Sequence, residues 1–352
     1  MNTIFIFLYV FSILFARSGA HNEICSKLDT DLNREKERDC ARGGGKKFKK
    51  RKGGRSRRGY IKIALIVPVT SRGIQASNTI AIENLPIYSY LISSMSKLQT
   101  NETNFAITTM YLGYDEGDEI YDNRKTVKAL VKHFKNKVPF VSVKPIRLVS
   151  LSQRIAHIWN HLVSIAYEDG NEYFCVLSDD SLLLSKGWLH SLIQALKRNP
   201  FMSNFGTVAF FEQHKRLKPG TFPTFPVIHK THLDIFGSQE MIHPHFANSF
   251  ADPYISDLYV VFESSRIVEE AKIVNVIGGE DTPRYNPGFP GWDNYVDLVQ
   301  MGRRKIAKWL NKNKEGSYTW TLAKLAYGPE GIHYTDYCKV SPGCEMPTFN
   351  ST

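Results

Sequence analysis

The chain has 352 residues, 42% of them hydrophobic, which supplies one large core or two small ones and excludes a wholly disordered chain. Its net charge of +11 points toward nucleic acid only until the charge is located. Ten of the 45 Lys and Arg residues lie between Arg42 and Arg58, leaving 35 basic against 34 acidic residues elsewhere, so the body is near neutral and no nucleic-acid partner is expected.

The chain opens on a twelve-residue apolar run, Ile4 to Phe15, followed by Ser18-Gly19-Ala20. The run is too short to span a bilayer comfortably, and small residues suit cleavage, so residues 1–20 read as a signal peptide, with a short signal anchor as the alternative. Sequons at Asn101 and Asn350 fit the same route, which places the protein in the secretory pathway (Golgi or ER lumen) or outside the cell. In that oxidising setting Cys25 could pair with Cys40 and Cys338 with Cys344, whereas Cys175 sits in an apolar run as a buried thiol. Residues 21–59 read as a disordered basic linker. The segment from Arg42 to Arg58 is Gly-rich, self-repelling and free of acids, a surface for an anionic polymer or a membrane, or a cleavage site at Arg55-Ser-Arg-Arg58.

From Tyr60 onward strand-like and helix-like segments alternate, the pattern of an α/β domain with a mainly parallel sheet flanked by helices. The expected strands are Ile61–Val69, Phe105–Leu112, Phe140–Val149 and Tyr173–Leu177. The expected helices are Leu85–Leu98, Thr126–Phe134, Gln153–Tyr167 and Trp188–Lys197, and an acidic turn, Gly113 to Asp118, follows the second strand. The fourth strand ends abruptly in Ser178-Asp179-Asp180. Paired carboxylates suit a hard cation, Mn²⁺ or Mg²⁺, carrying an anionic ligand; the competing reading is a solvated turn or a helix cap. Ligands of open α/β sheets bind at the carboxyl ends of the strands, which favours the functional reading.

Three segments in this order, Ala64-Leu-Ile-Val-Pro-Val-Thr-Ser-Arg72, Ile155-Ala-His-Ile-Trp-Asn160, and Asp169 to Asp180 followed by Gly187-Trp-Leu189, resemble the GT-A fold glycosyltransferases, the nucleotide-diphospho-sugar transferases of the family-2 type. The similarity covers roughly residues 60–200. It implies a Rossmann-like fold whose donor-binding residues are Pro68, Thr70, Arg72, Asp115, Asn160 and Asp179, with Asp180 and the late His333 as metal ligands. The family motif is commonly Asp-x-Asp; Ser178 replaces its first acid here, so the metal rests chiefly on Asp180.

Residues 201–352 then form the acceptor half. Its cluster from His243 to Tyr259 interleaves aromatics with carboxylates, as sugar recognition requires, and an inverting transferase needs a carboxylate base: Asp252 first, Asp257 second. The opposing reading has these acids capping helices, with Asp252-Pro253 starting one. His243 and His245 are spaced to chelate on a strand, but Pro244 between them favours a loop. The expected partners are a nucleotide-diphosphate sugar and a glycan or glycoprotein acceptor. A catalytically inactive glycan- or polyanion-binding relative is the alternative, and a nucleotidyltransferase is disfavoured because the loop after the first strand, Thr70 to Ile74, holds a single Gly.

Overall fold

The structure, a computed structural model, describes residues 60–72, 74, 82–98, 105–213, 223–248, 250–276 and 292–313. All of them belong to one compact unit, Arg58–Thr352. The expected signal peptide, basic linker, both sequons, four of the five cysteines and His333 lie outside the described residues.

The strands are β1 (Ile61–Val69), β2 (Ala106–Asp115), β3 (Val141–Leu148), β4 (Tyr173–Val176), β5 (Ser181–Leu183), β6 (Thr207–Glu212), β7 (Pro226–His229) and β8 (Ser265–Asn275). They form one sheet in the order β3-β2-β1-β4-β7-β6-β8-β5, with β1, β2, β3 and β4 mutually parallel, β6 parallel to β8, and β7 and β5 antiparallel to their neighbours. The helices are α1 (Ser93–Leu98, preceded by a π-wound stretch Ile87–Ile92), α2 (Arg124–Lys137), α3 (Ile155–Glu168), α4 (Trp188–Lys197), α5 (Lys230–Phe236), α6 (Ala251–Val260) and α7 (Trp292–Asn313). Among the described residues no helix is long and apolar enough to cross a membrane.

After the exposed Lys62, β1 is apolar because it is covered on both faces, as central parallel strands are. Its alternate residues feed two cores. Ile63, Leu65 and Val67 join β4 residues Tyr173 and Cys175 under α1, α2 and α4, while Ala64 and Ile66 join Phe174 and Val176 under α3, α5, α6 and α7. Cys175 is fully buried, as its apolar run predicts. Pro145 sits in β3, at the sheet edge, to which strand prolines are largely confined because they lack an amide donor.

Most boundaries shift by one to three residues from the sequence reading, and two of the differences bear on the site. The segment Gly113–Asp115 extends β2 instead of turning, because it pairs residue for residue with Ile146–Leu148. Helix α6 begins at Ala251, with Phe250 in a left-handed conformation (φ 65°) before it, so Pro253 lies within the first turn and not at its first position.

Candidate active site

The winding reverses at β1: β2 and β3 lie on one side of it and β4 on the other. The carboxyl ends of β1 and β4 form the edge at which doubly wound sheets hold their ligands. Leu177 N donates to Ile66 O (3.0 Å), so Pro68-Val69-Thr70 and Ser178-Asp179-Asp180 leave adjacent strands side by side.

On the β1 side, Arg72 Nη1 lies 3.0 Å from Asp115 Oδ2 at the end of β2 and 3.0 Å from Ser152 Oγ beyond β3. Asp115 is 5% exposed, and burying a carboxylate is costly without such a counter-charge. The turn itself is held by Asp118. One carboxylate oxygen accepts from Ser71 N (2.8 Å) and Thr70 Oγ1 (3.3 Å), the other from Ile120 N (3.1 Å) and Tyr121 N (2.8 Å). Asp118 therefore staples the loop after β1 to the loop after β2. Sequence reasoning divides Asp118 between a nucleoside contact and a solvated turn; the signal available for its stapling role is the Asx pattern, an Asp with backbone donors two and three residues on.

On the β4 side, Asp179 and Asp180 are 3% and 1% exposed. The Asn275 carboxamide, oriented with its nitrogen toward Asp180, donates to both carboxylate oxygens (3.2 and 2.8 Å). Asn275 reaches this place because β8 runs antiparallel to β5, with Ser181 opposite Asn275. Ser178 and Ser181 close the turn through their hydroxyls (2.9 Å) and through Ser178 N to Ser181 Oγ (3.0 Å). Ser178 thus shapes the acidic turn without adding a charge. The donor set is two carboxylates with no sulfur or imidazole, which suits a hard cation. Among the described residues no third acid, His or Cys converges on it, so of these only the two carboxylates would hold such a cation.

The other expected site residues are placed elsewhere. Asn160, on α3, spends both ends of its carboxamide on Ile242, donating to its carbonyl (2.7 Å) and accepting from its amide (2.8 Å). The loop it clamps also caps α3: Asn248 Oδ1 accepts from Ile155 N (2.8 Å), and Ala247 O accepts from Ala156 N (2.9 Å). The polar cluster after His243 is thus partly structural. His243 and His245 form the expected loop, His245 N donating to His243 Nδ1 (3.2 Å). Asp257 faces α7, taking a hydrogen bond from the Tyr295 hydroxyl, while its carbonyl accepts from Arg303 Nε (2.9 Å). Asp252, one turn nearer the start of α6, lines a small crevice with Thr207, Ala209, Pro226, Ser256, Ser265 and Arg266, where β6, β7 and β8 begin.

Three histidines near this half are held neutral. His232 Nε2 faces Met241 O (2.9 Å), which only accepts, so Nε2 carries the proton and Nδ1 accepts from the Tyr259 hydroxyl (2.8 Å). Burial lowers His232 to about 4, with Lys305 adding to it. Burial likewise brings His229, near Lys230 and Lys197, and His243, near Lys305 and His245, to about 4. Each folded value lies below the ordinary 6.5, so the unfolded chain binds more protons between these limits. Stability should therefore be complete above pH 6.5 and fall as pH drops from 6.5 toward 4, His232 alone contributing on the order of 3 kcal/mol. Thermal melts across pH 8 to 4 check this; a melting temperature that holds or rises on acidification contradicts it.

No protein-family model and no curated protein matches the chain. Among solved structures it is similar to S. aureus TarS (10% identity, TM-score 0.43, covering 75% of this chain and 42% of that one). It is also similar to a UDP-glucose pyrophosphorylase complexed with UDP-glucose (18%, 0.26, 43% and 57%). A third likeness is to a protein described as a glucose-1-phosphate thymidylyltransferase from Bacillus anthracis (10%, 0.38, 60% and 87%). The chain spans less than two thirds of the length of the first two. At these scores the likenesses are distant, and the reading of the site rests on its own geometry.

Proposed function

We propose that the protein is a glycosyltransferase that moves a sugar from a nucleotide-diphosphate donor to an acceptor hydroxyl, residues 60–200 holding the donor and residues 201–352 the acceptor. The observation that supports this reading is the buried Asp179-Asp180 pair at the carboxyl end of β4, beside the strand where the winding reverses. The nucleoside lies against the Thr70–Arg72 turn and Asp115, and its diphosphate extends toward the Asp pair. Asp180 and Asp179 would hold Mn²⁺ or Mg²⁺, and a bound cation supplies charge neutralisation for the leaving diphosphate. Asp252 takes the hydroxyl proton as the acceptor oxygen attacks the anomeric carbon. Asp257, committed to α7, has the weaker claim to that role.

Calorimetry of the full chain with UDP and GDP, with and without Mn²⁺, tests this. One nucleotide should bind in a metal-dependent way, Asp180→Ala should weaken it about thirtyfold (roughly 2 kcal/mol), and Asp252→Asn should leave the nucleotide affinity intact while transfer falls at least about a hundredfold. Metal-dependent binding of neither nucleotide overturns the proposal. Product analysis separates sugar transfer from nucleotidyl transfer.

A further inference from the structure

The body outside Arg42–Arg58 is near neutral, yet its charge is unevenly placed. Helix α2, Arg124-Lys-Thr-Val-Lys-Ala-Leu-Val-Lys-His-Phe-Lys-Asn-Lys137, carries six cations and no acid. All six are exposed, and none pairs with a carboxylate among the described residues. At 3.6 residues per turn, Arg124, Lys125, Lys128, Lys132 and Lys135 fall within about 100° of arc and extend over roughly 16 Å. Val127, Leu130 and Phe134 lie on the opposite face, in the protein. The nearby acids are engaged elsewhere or lie off the row: Asp122 binds Arg147, and Glu83 faces His133 at 3.9 Å.

We propose that this row is a docking surface for a linear anionic polysaccharide, a sulfated or carboxylated chain laid along the helix. The inference is independent of the donor site. Lysines dominate the row and act as point charges, which suits anions strung along a polymer. No aromatic stands on this arc to stack a nucleobase, and the helix buries Val127, Leu130 and Phe134 and half-buries Ala129 and Val131, leaving no exposed apolar side chain to dip into a lipid surface. Cations one turn apart, Arg124 with Lys128 and Lys128 with Lys132, repel each other. Arg124 and Lys125 also stand at the positive end of the helix dipole, where only the Asn123 cap, accepting from Lys125 N (2.9 Å), offsets them locally. A bound polyanion relieves both strains, so it stabilises the fold as well as occupying the surface.

The test uses the full chain with the ten cations of residues 42–58 changed to Ser, which silences that segment. Fluorescence anisotropy is followed with a labelled heparin-derived oligosaccharide, a duplex DNA of equal charge, and phosphatidylserine vesicles. Lys128→Gln/Lys132→Gln/Lys135→Gln should weaken oligosaccharide binding at least tenfold, reduce the slope of log affinity against log salt by roughly two, and abolish the rise in melting temperature that the oligosaccharide causes. Changing Lys62, Lys230 and Lys308 to Gln should alter none of these. Equal oligosaccharide affinity with and without the α2 cations, or tighter binding of DNA or vesicles than of the oligosaccharide, overturns the proposal.

Discussion

Gly206→Ala is expected to be the most damaging of the Gly→Ala changes among the described residues. Gly206 has φ +95°, and an added Cβ would lie 2.0 Å from Ser264 O and 2.9 Å from Ser264 C. These are backbone atoms, and they cannot withdraw. Ser264 O accepts from Thr207 N (2.9 Å) where β6 and β8 begin to pair, and Phe205 on the other side is fully buried against Tyr259 and Phe262. The substitution combines a forbidden contact with a conformation that L side chains resist, so a loss of at least about 4 kcal/mol is expected, roughly 10 °C in melting temperature. Gly117→Ala is the matched comparison. Gly117 has φ +77° with nothing within 4 Å of the added carbon, so only the conformational cost remains, about 1 kcal/mol. Thermal melts of the two variants should differ widely; similar melting would remove the close approach of β6 to Ser264.

Asp118→Ala should couple stability to ligand binding. The variant loses four acceptor contacts, two to each loop, and charge-assisted hydrogen bonds of this kind support an expected cost of about 2–4 kcal/mol. On the proposed function it also frees the Thr70–Arg72 turn, so nucleotide affinity should fall about tenfold although Asp118 itself need not touch the ligand. Asp118→Asn separates the two loops: its amide nitrogen cannot accept, so one loop stays tied and the other is released, and both effects should be intermediate. Chemical denaturation and calorimetry on the same samples check this. Unchanged stability in Asp118→Ala would eliminate the staple.

The first half of the fold is legible because its elements are locally determined. β1 is an apolar run interrupted only by Lys62, and α4 starts after Gly187, which adopts a left-handed conformation (φ 72°), so the expected and observed spans agree at Ile61–Val69 and Trp188–Lys197. The acidic turn after β4 is likewise visible as two carboxylates ending an apolar strand. What surrounds it is not. Asn275 reaches Asp180 only through the pairing of β5 with β8, and three-residue β5 carries no periodic signal of its own. Beyond residue 200 the sequence signals little more than a helix near Asp252, and the start of even that helix depends on Phe250 adopting a left-handed conformation that a bulky residue seldom takes. Asn160 and Asn248 look like polar site residues in sequence; their partners, backbone groups more than 80 positions away, make them fasteners.

Those fasteners bear on how the protein can move. Strand β4 has β1 from the first half on one side and β7 from the second on the other, while the loop at Ile242–Asn248 grips α3. A hinge between residues 200 and 201 would have to tear the centre of a sheet and strip the cap from a buried helix. The two halves are stitched and not hinged, which disfavours a clamshell closure of one half on the other.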